Sequence, residues 1–111
     1  FFCLDNQREY PHLDVFINFY IRLIKATLPN FYLCLSDKYS YYELYSIFYH
    51  LNERLDPYTR ELYEKRSTKR EYFIVLYDLL REEVESNDHF DKRIREAFCF
   101  DMLLLSHSTA L

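Results

Sequence analysis

The sequence predicts an all-α fold, a compact bundle of five to six helices forming a single domain over residues 1–111. Apolar residues recur along the chain with the helical period of about 3.6 residues. Two capping patterns mark helix starts. The chain contains no glycine, which β-hairpin turns ordinarily require. Since half of the residues are hydrophobic, the chain is able to bury a substantial core.

The first helix is expected to begin at Pro11, in the place of a first-turn proline, and to end near Leu28. Val15, Phe19 and Leu23 widen its apolar face, so we expect a central helix that is covered on most of its circumference. Pro29-Asn30 then breaks this helix, and the following "NFYLCL" is expected to form only a short helical turn. The principal apolar face consists of Leu13, Phe16, Ile17, Tyr20, Ile21, Ile24 and Leu28.

The middle of the chain carries a clear helix start. Ser40, followed three residues later by Glu43, forms a capping-box pattern, and an apolar stripe then predicts a helix to about Leu55. Asp56-Pro57 is typical of a cap followed by a first-turn proline. It predicts a separate short helix through about Lys65.

Two more helices are predicted after this point. Thr68 and Glu71 repeat the capping-box pattern, and the helix that they open should end at the polar "ESND" break. Asp88 is the expected cap of the last helix, which should run from about His89 to Leu105. No strand is predicted.

Composition and charge exclude several classes of function. Without glycine, the chain has neither a P-loop nor a dinucleotide-binding motif. A net charge of -4 argues against nucleic acid as a partner, and no run of about 20 apolar residues predicts a membrane span.

The start at Phe1 instead of Met favours a piece of a longer protein. Cys3, Cys34 and Cys99 favour a reducing cytoplasm because their number is odd, although one bridge between two of them stays open.

Catalytic and metal-binding residues are not predicted at any position. The four histidines lack metal-ligand spacing, and no serine or cysteine lies in a nucleophile motif. His50 lies beside an apolar stripe and is expected to be a hydrogen-bonded core histidine. His107 is expected near the end of the last helix, where it favours the helix dipole.

Two surfaces are candidates for partner contacts. One is the basic stretch from residue 60 to residue 70, which would suit an acidic partner but is more typical of a solvated helix end. The other is a row of tyrosines, which forms either a helix edge or, if exposed, a docking surface. The residues of these two surfaces are Arg60, Lys65, Arg66, Lys69 and Arg70, and Tyr42, Tyr45 and Tyr49.

Asp101 is the single charge in the most apolar run of the chain, "AFCFDMLLL". Its neighbours at four-residue spacing, Ala97 and Leu105, cannot satisfy a carboxylate. A buried, unpaired charge is costly, so its partner should come from another element. An arginine, a tyrosine hydroxyl or free backbone amides would each serve. We therefore predict that Asp101 fixes the last helix to a neighbouring element.

The stretches "YYELYSIFYHL" and "RIREAFCFDMLLL" carry a family resemblance. They resemble the C-terminal helical domain of unknown function that follows the catalytic core in cobalamin-binding radical SAM proteins of anaerobic bacteria. The final helix of that domain carries a Phe-Asp element similar to Phe100 and Asp101. The resemblance implies a parent enzyme that uses cobalamin, an iron-sulfur cluster and S-adenosylmethionine. Because the three cysteines here are not closely spaced, no catalytic or cofactor-binding residue carries over, and the fragment itself is expected to hold no cofactor.

The expected function is that of a non-catalytic helical accessory domain that packs on an enzyme core or on a protein substrate. The alternative is an independent helical module for protein-protein interaction. An enzyme in its own right is the third interpretation. The expected partner is a protein, with neither nucleic acid nor membrane involved.

Overall fold

Five helices follow one another in the computed structural model, which describes residues 13–108. Within this range there is no strand, so the predicted all-α class is confirmed. Pro11, the expected first helix start, lies outside the described residues, as does Cys3. The helices are α1 Leu13–Thr27, α2 Pro29–Lys38, α3 Tyr41–Glu64, α4 Lys69–Ser86 and α5 Lys92–His107.

One hydrophobic core joins the helices. α2 packs against α5, α3 packs against α4, and α1 lies on α2 and α3. Phe31 of α2 is central, because its ring lies 6.0 Å from that of Phe90 and 5.2 Å from that of Phe98. The other buried apolar residues include Ile17, Ile24, Leu35, Phe48, Leu51, Leu76, Leu80, Val84 and Ile94.

None of the helices in residues 13–108 has the length and apolar character that crossing a membrane requires.

Both predicted capping boxes are confirmed. The Ser40 hydroxyl accepts from the Glu43 backbone N–H at 3.3 Å, and the Ser40 N–H donates to the Glu43 carboxylate at 2.9 Å. Thr68 and Glu71 make the same reciprocal pair at 3.3 and 2.7 Å. These bonds satisfy amides that a helix start leaves without partners. The starts of α3 and α4 are therefore set by local sequence.

The predicted short turn after Pro29 was wrong, since α2 is a ten-residue helix. Leu28 separates α1 from α2 because its backbone is not helical, with φ -129°, and its side chain cannot cap α2. Pro29 then fits the first turn of the new helix, where its missing N–H costs nothing. The absent local cap is replaced by Asp101, as described below.

The predicted separate helix at Pro57 was also wrong, because α3 continues through this residue to Glu64. An internal proline removes one backbone hydrogen bond and crowds the preceding turn. Two contacts within α3 bridge this point, because the Thr59 hydroxyl donates to the Leu55 carbonyl at 3.0 Å and Arg60 pairs with Asp56 at 3.0 Å. Leu55 is buried in the core, and Arg54 pairs with two glutamates of α4, Glu82 at 3.0 Å and Glu83.

The last helix starts three residues later than predicted. Its N-cap is Asp91, whose carboxylate accepts from the Ile94 N–H at 3.0 Å, and not Asp88. Asn87 delays the start, because its side chain accepts from the His89 N–H and its carbonyl accepts from the Phe90 N–H. The chain completes this turn before α5 begins.

A Schellman-type turn ends α3 without glycine. Arg66 has φ 54°, and its N–H donates to the Tyr63 carbonyl. The Ser67 N–H donates to the Leu62 carbonyl. Glycine usually occupies the left-handed position of this motif because it has no Cβ. Arg66 therefore adopts a backbone conformation that is unfavourable for an L-residue.

Replacing Arg66 with glycine is expected to raise the free energy of unfolding by roughly 0.5–1 kcal/mol. The left-handed conformation costs an L-residue about 1–2 kcal/mol, and the greater unfolded-state entropy of glycine cancels part of the gain. Urea denaturation measures the change. Arg66→Ala is the matched control, since it removes the charge but keeps the Cβ. Equal stability of the two variants would contradict the expected backbone strain.

Candidate functional site

Asp101 is buried, with 2% of its surface exposed. One carboxylate oxygen accepts from the Asn30 side-chain amide at 2.8 Å, and the other accepts from the Phe31 backbone N–H at 2.7 Å. Of the three partner types expected from the sequence, the structure uses a backbone amide. It adds the side chain of Asn30, which the sequence did not single out.

The carboxylate of Asp101 acts as the N-terminal cap that α2 lacks. A helix start has free N–H groups and a partial positive charge, and a carboxylate satisfies both. Two ion pairs also join these helices, Arg93 with Asp37 at 3.0 Å and Asp91, the N-cap of α5, with Lys38 at 3.1 Å. Because the start of α5 meets the end of α2, and Asp101 in the second half of α5 meets the start of α2, the two helices are antiparallel. Their relative position is fixed at both ends of α2.

The side of α5 that faces away from the buried Phe98 carries exposed apolar residues. Phe100, Leu103 and Leu104 are between 52% and 57% exposed. At about 100° per residue they fall within one sector of about 100°. We call these three residues the α5 stripe. The apolar run around Asp101 therefore has two faces. Phe98 and Asp101 are directed into the protein, and the α5 stripe is directed to solvent.

A second apolar surface lies between α1, α3 and α4, where a groove encloses about 610 Å³. The expectation that the first helix is covered on most of its circumference was wrong here, because Val15, Phe16 and Phe19 are largely exposed. α1 packs on α2 and α3, so the side of its first turns facing α4 stays open. We call this surface the α1–α4 groove. Its lining is Val15, Phe16, Phe19, Tyr20, Arg22, Leu23, Leu55, Thr59, Lys69, Tyr72, Phe73 and Leu76.

The basic stretch is not one uniform charged surface. Arg60 pairs with Asp56 at 3.0 Å, and Lys65 pairs with Glu61 at 2.6 Å, which compensates both cations. Lys69 lies 5.5 Å from the centre of the Phe73 ring and lines the α1–α4 groove. Arg66 and Arg70, the remaining two, are exposed.

The tyrosine row is divided between solvent and the α1 interface. Tyr42 is 85% exposed, whereas Tyr45 and Tyr49 are half-buried. The Tyr45 hydroxyl donates to the Asp14 carboxylate of α1. Burial, together with this hydrogen bond to an anion, raises the pKa of Tyr45 to about 12. Tyr45 therefore holds α3 against α1, and Tyr42 alone of the three presents most of its surface to a partner.

The histidine expectations were partly wrong. His50 is not a core residue, because its ring is exposed and lies 3.2 Å from the Glu53 carboxylate. His107 lies in the last turn of α5, as expected. No group of three potential metal ligands is found in the part of the chain that the structure describes. Cys34 and Cys99 are both free.

No protein-family model, curated protein or solved structure matches this chain. Function is therefore inferred from the chain's own surfaces. Among these, the α5 stripe and the α1–α4 groove each bring at least three exposed apolar side chains together on the described helices. Exposed apolar patches of this kind mark contact surfaces for other molecules.

Proposed function

We propose that this chain is a non-catalytic helical accessory domain that packs on an enzyme core through the α5 stripe. The observation that carries the proposal is the exposure of Phe100, Leu103 and Leu104 on a helix that Asp101 fixes in place. These residues belong to the stretch that resembles the C-terminal domain of cobalamin-binding radical SAM proteins. In this proposal cobalamin, the cluster and S-adenosylmethionine are bound by the parent enzyme in the cytoplasm, and the domain supplies a packing surface.

The size of the α5 stripe favours a core in the same chain. Complete burial of a Leu or Phe side chain contributes about 1.5–3 kcal/mol, and these three are already half-buried. Covering the stripe would then contribute only about 2–4 kcal/mol. Association of separate chains costs about 4–15 kcal/mol in lost freedom. A covalent connection removes most of that cost, so this small stripe suits an intramolecular contact.

Cys99 provides the test, because it is exposed and precedes Leu103 by one helical turn. Thiol labelling at Cys99 is followed by mass spectrometry in the present chain and in the protein from the complete reading frame. We expect slower labelling in the longer protein. Phe100→Glu should restore the fast rate, whereas Tyr42→Glu, an equally drastic change at an exposed aromatic residue of α3, should not.

Two results would contradict the proposal. One is equal labelling of Cys99 in both proteins, which would mean that nothing covers the α5 stripe. The other is a reading frame without an upstream Cys-x-x-x-Cys-x-x-Cys motif, which would remove the radical SAM parent. A reading frame that starts just before Phe1 would support the independent interaction module, a function that the open α1–α4 groove favours.

A further inference from the structure

We infer that the α1–α4 groove binds one helix of a partner protein, an amphipathic helix whose apolar face is flanked by acidic residues. This inference concerns a different surface from the α5 stripe and does not rest on the proposed accessory role. Three features of the groove support it: its length, its apolar lining and the sign of its charged residues.

The dimensions of the groove suit two turns of a helix. Its α1 wall extends from Val15 to Leu23, and its α4 wall extends from Lys69 to Leu76. At about 1.5 Å per helical residue these walls are roughly 12 and 10 Å long. Helices bound in grooves insert apolar side chains at positions i, i+3 or i+4, and i+7, which extend over a similar length.

The aromatic side chains that line the groove are only partly buried, unlike those of a folded core. Phe16 and Phe19 on α1 are 50% and 44% exposed. Tyr72 and Phe73 on α4 are only partly buried. The aromatic rings of the two walls thus face a shared space that no described helix fills. An apolar face of a partner would complete the contact, because aromatic side chains provide much of the binding energy at interfaces.

The charged residues that line the groove indicate which charge should flank the apolar face of the partner helix. Both charged side chains in the lining, Arg22 and Lys69, are cations. Neither pairs with a carboxylate within residues 14–108. Arg22 belongs to α1 and Lys69 to the first turn of α4, so each wall contributes one cation. Glutamate or aspartate beside the apolar face of a partner would complement both of them.

Two synthetic helical peptides test this inference. Both carry the same leucine stripe, and one has flanking glutamates where the other has flanking lysines. Fluorescence anisotropy should show that the wild-type chain binds the glutamate peptide at least tenfold more tightly. The double variant Arg22→Glu/Lys69→Glu should reverse this preference, and Lys92→Glu on α5 is the control that should preserve it. Circular dichroism checks that each variant is folded.

Three outcomes would overturn the inference. The first is equal binding of the two peptides by the wild-type chain, which would indicate a non-specific apolar contact. The second is binding of the glutamate peptide only after residues 1–12 are deleted, which would assign the groove to the chain's own segment. The third is a dimer in analytical ultracentrifugation that Phe16→Ala dissociates, which would assign the groove to a second copy.

Discussion

Replacing Phe31 with alanine is expected to lower the free energy of unfolding by about 3–5 kcal/mol, the range typical of buried phenylalanines. Phe31 has no exposed surface and contacts the rings of Phe90 and Phe98. Its removal would leave a cavity between α2 and α5, the two helices that Asp101 also joins. Because small domains have a total stability of about 5–15 kcal/mol, a large fraction of the molecules would unfold in mild denaturant.

Urea denaturation followed by circular dichroism measures this loss. Phe16→Ala is a matched control, because it removes the same side chain from an exposed position on α1. It should cost less than about 1 kcal/mol, as surface substitutions usually do. Equal losses for the two variants would mean that Phe31 is not at the centre of the core.

The two capping boxes, which local sequence determines, were predicted correctly. Ser40 and Thr68 each find their capping partner three residues later, so the pattern and the hydrogen bonds involve the same few residues. The apolar stripe predicted after Ser40 likewise points largely into the core, since Leu44, Phe48 and Leu51 are buried and Ile47 is partly buried.

The parts that failed have both distant and local causes, and the misplaced start of α5 is a local one, since Asp88 and Asp91 both fit a cap. α2 was underestimated because its cap, Asp101, lies 70 positions after Phe31. α3 was divided at Pro57 because Asp56-Pro57 also fits a helix start, although the Thr59 hydroxyl and the Arg60–Asp56 ion pair bridge this point. His50 was placed in the core because it adjoins an apolar stripe, although a helical step of about 100° is enough to direct it outward.

The candidate surfaces were predicted less completely than the fold. The residues of the basic stretch were identified as a charged group, but only Lys69 joins the α1–α4 groove. Arg22, which provides the other cation, lies on α1, where no sequence motif distinguished it. The open first turns of α1 could not be predicted, since periodicity shows which residues are apolar but not whether a neighbouring helix covers them.

Asp101→Ala is the second large effect, with an expected loss of about 1–3 kcal/mol in the free energy of unfolding. The partners of Asp101 are the neutral amides of Asn30 and Phe31. Substitution therefore strands no opposite charge, and the loss of 3–5 kcal/mol typical of a broken buried ion pair is not expected. What is lost is the pair of charge-assisted hydrogen bonds that cap α2. Both donors would then face an apolar alanine.

Two further variants separate the cap from simple packing. Asp101→Asn keeps an oxygen acceptor for the Phe31 N–H but places a second amide against Asn30. Its free energy of unfolding should therefore lie between those of wild type and Asp101→Ala. Asn30→Ala removes one bond and leaves the backbone amide paired, so it should cost less than Asp101→Ala. Urea denaturation of the three variants measures this order. If Asp101→Ala were as stable as wild type, the carboxylate would not hold α5 to α2, and the rigid presentation of the α5 stripe would lose its physical basis.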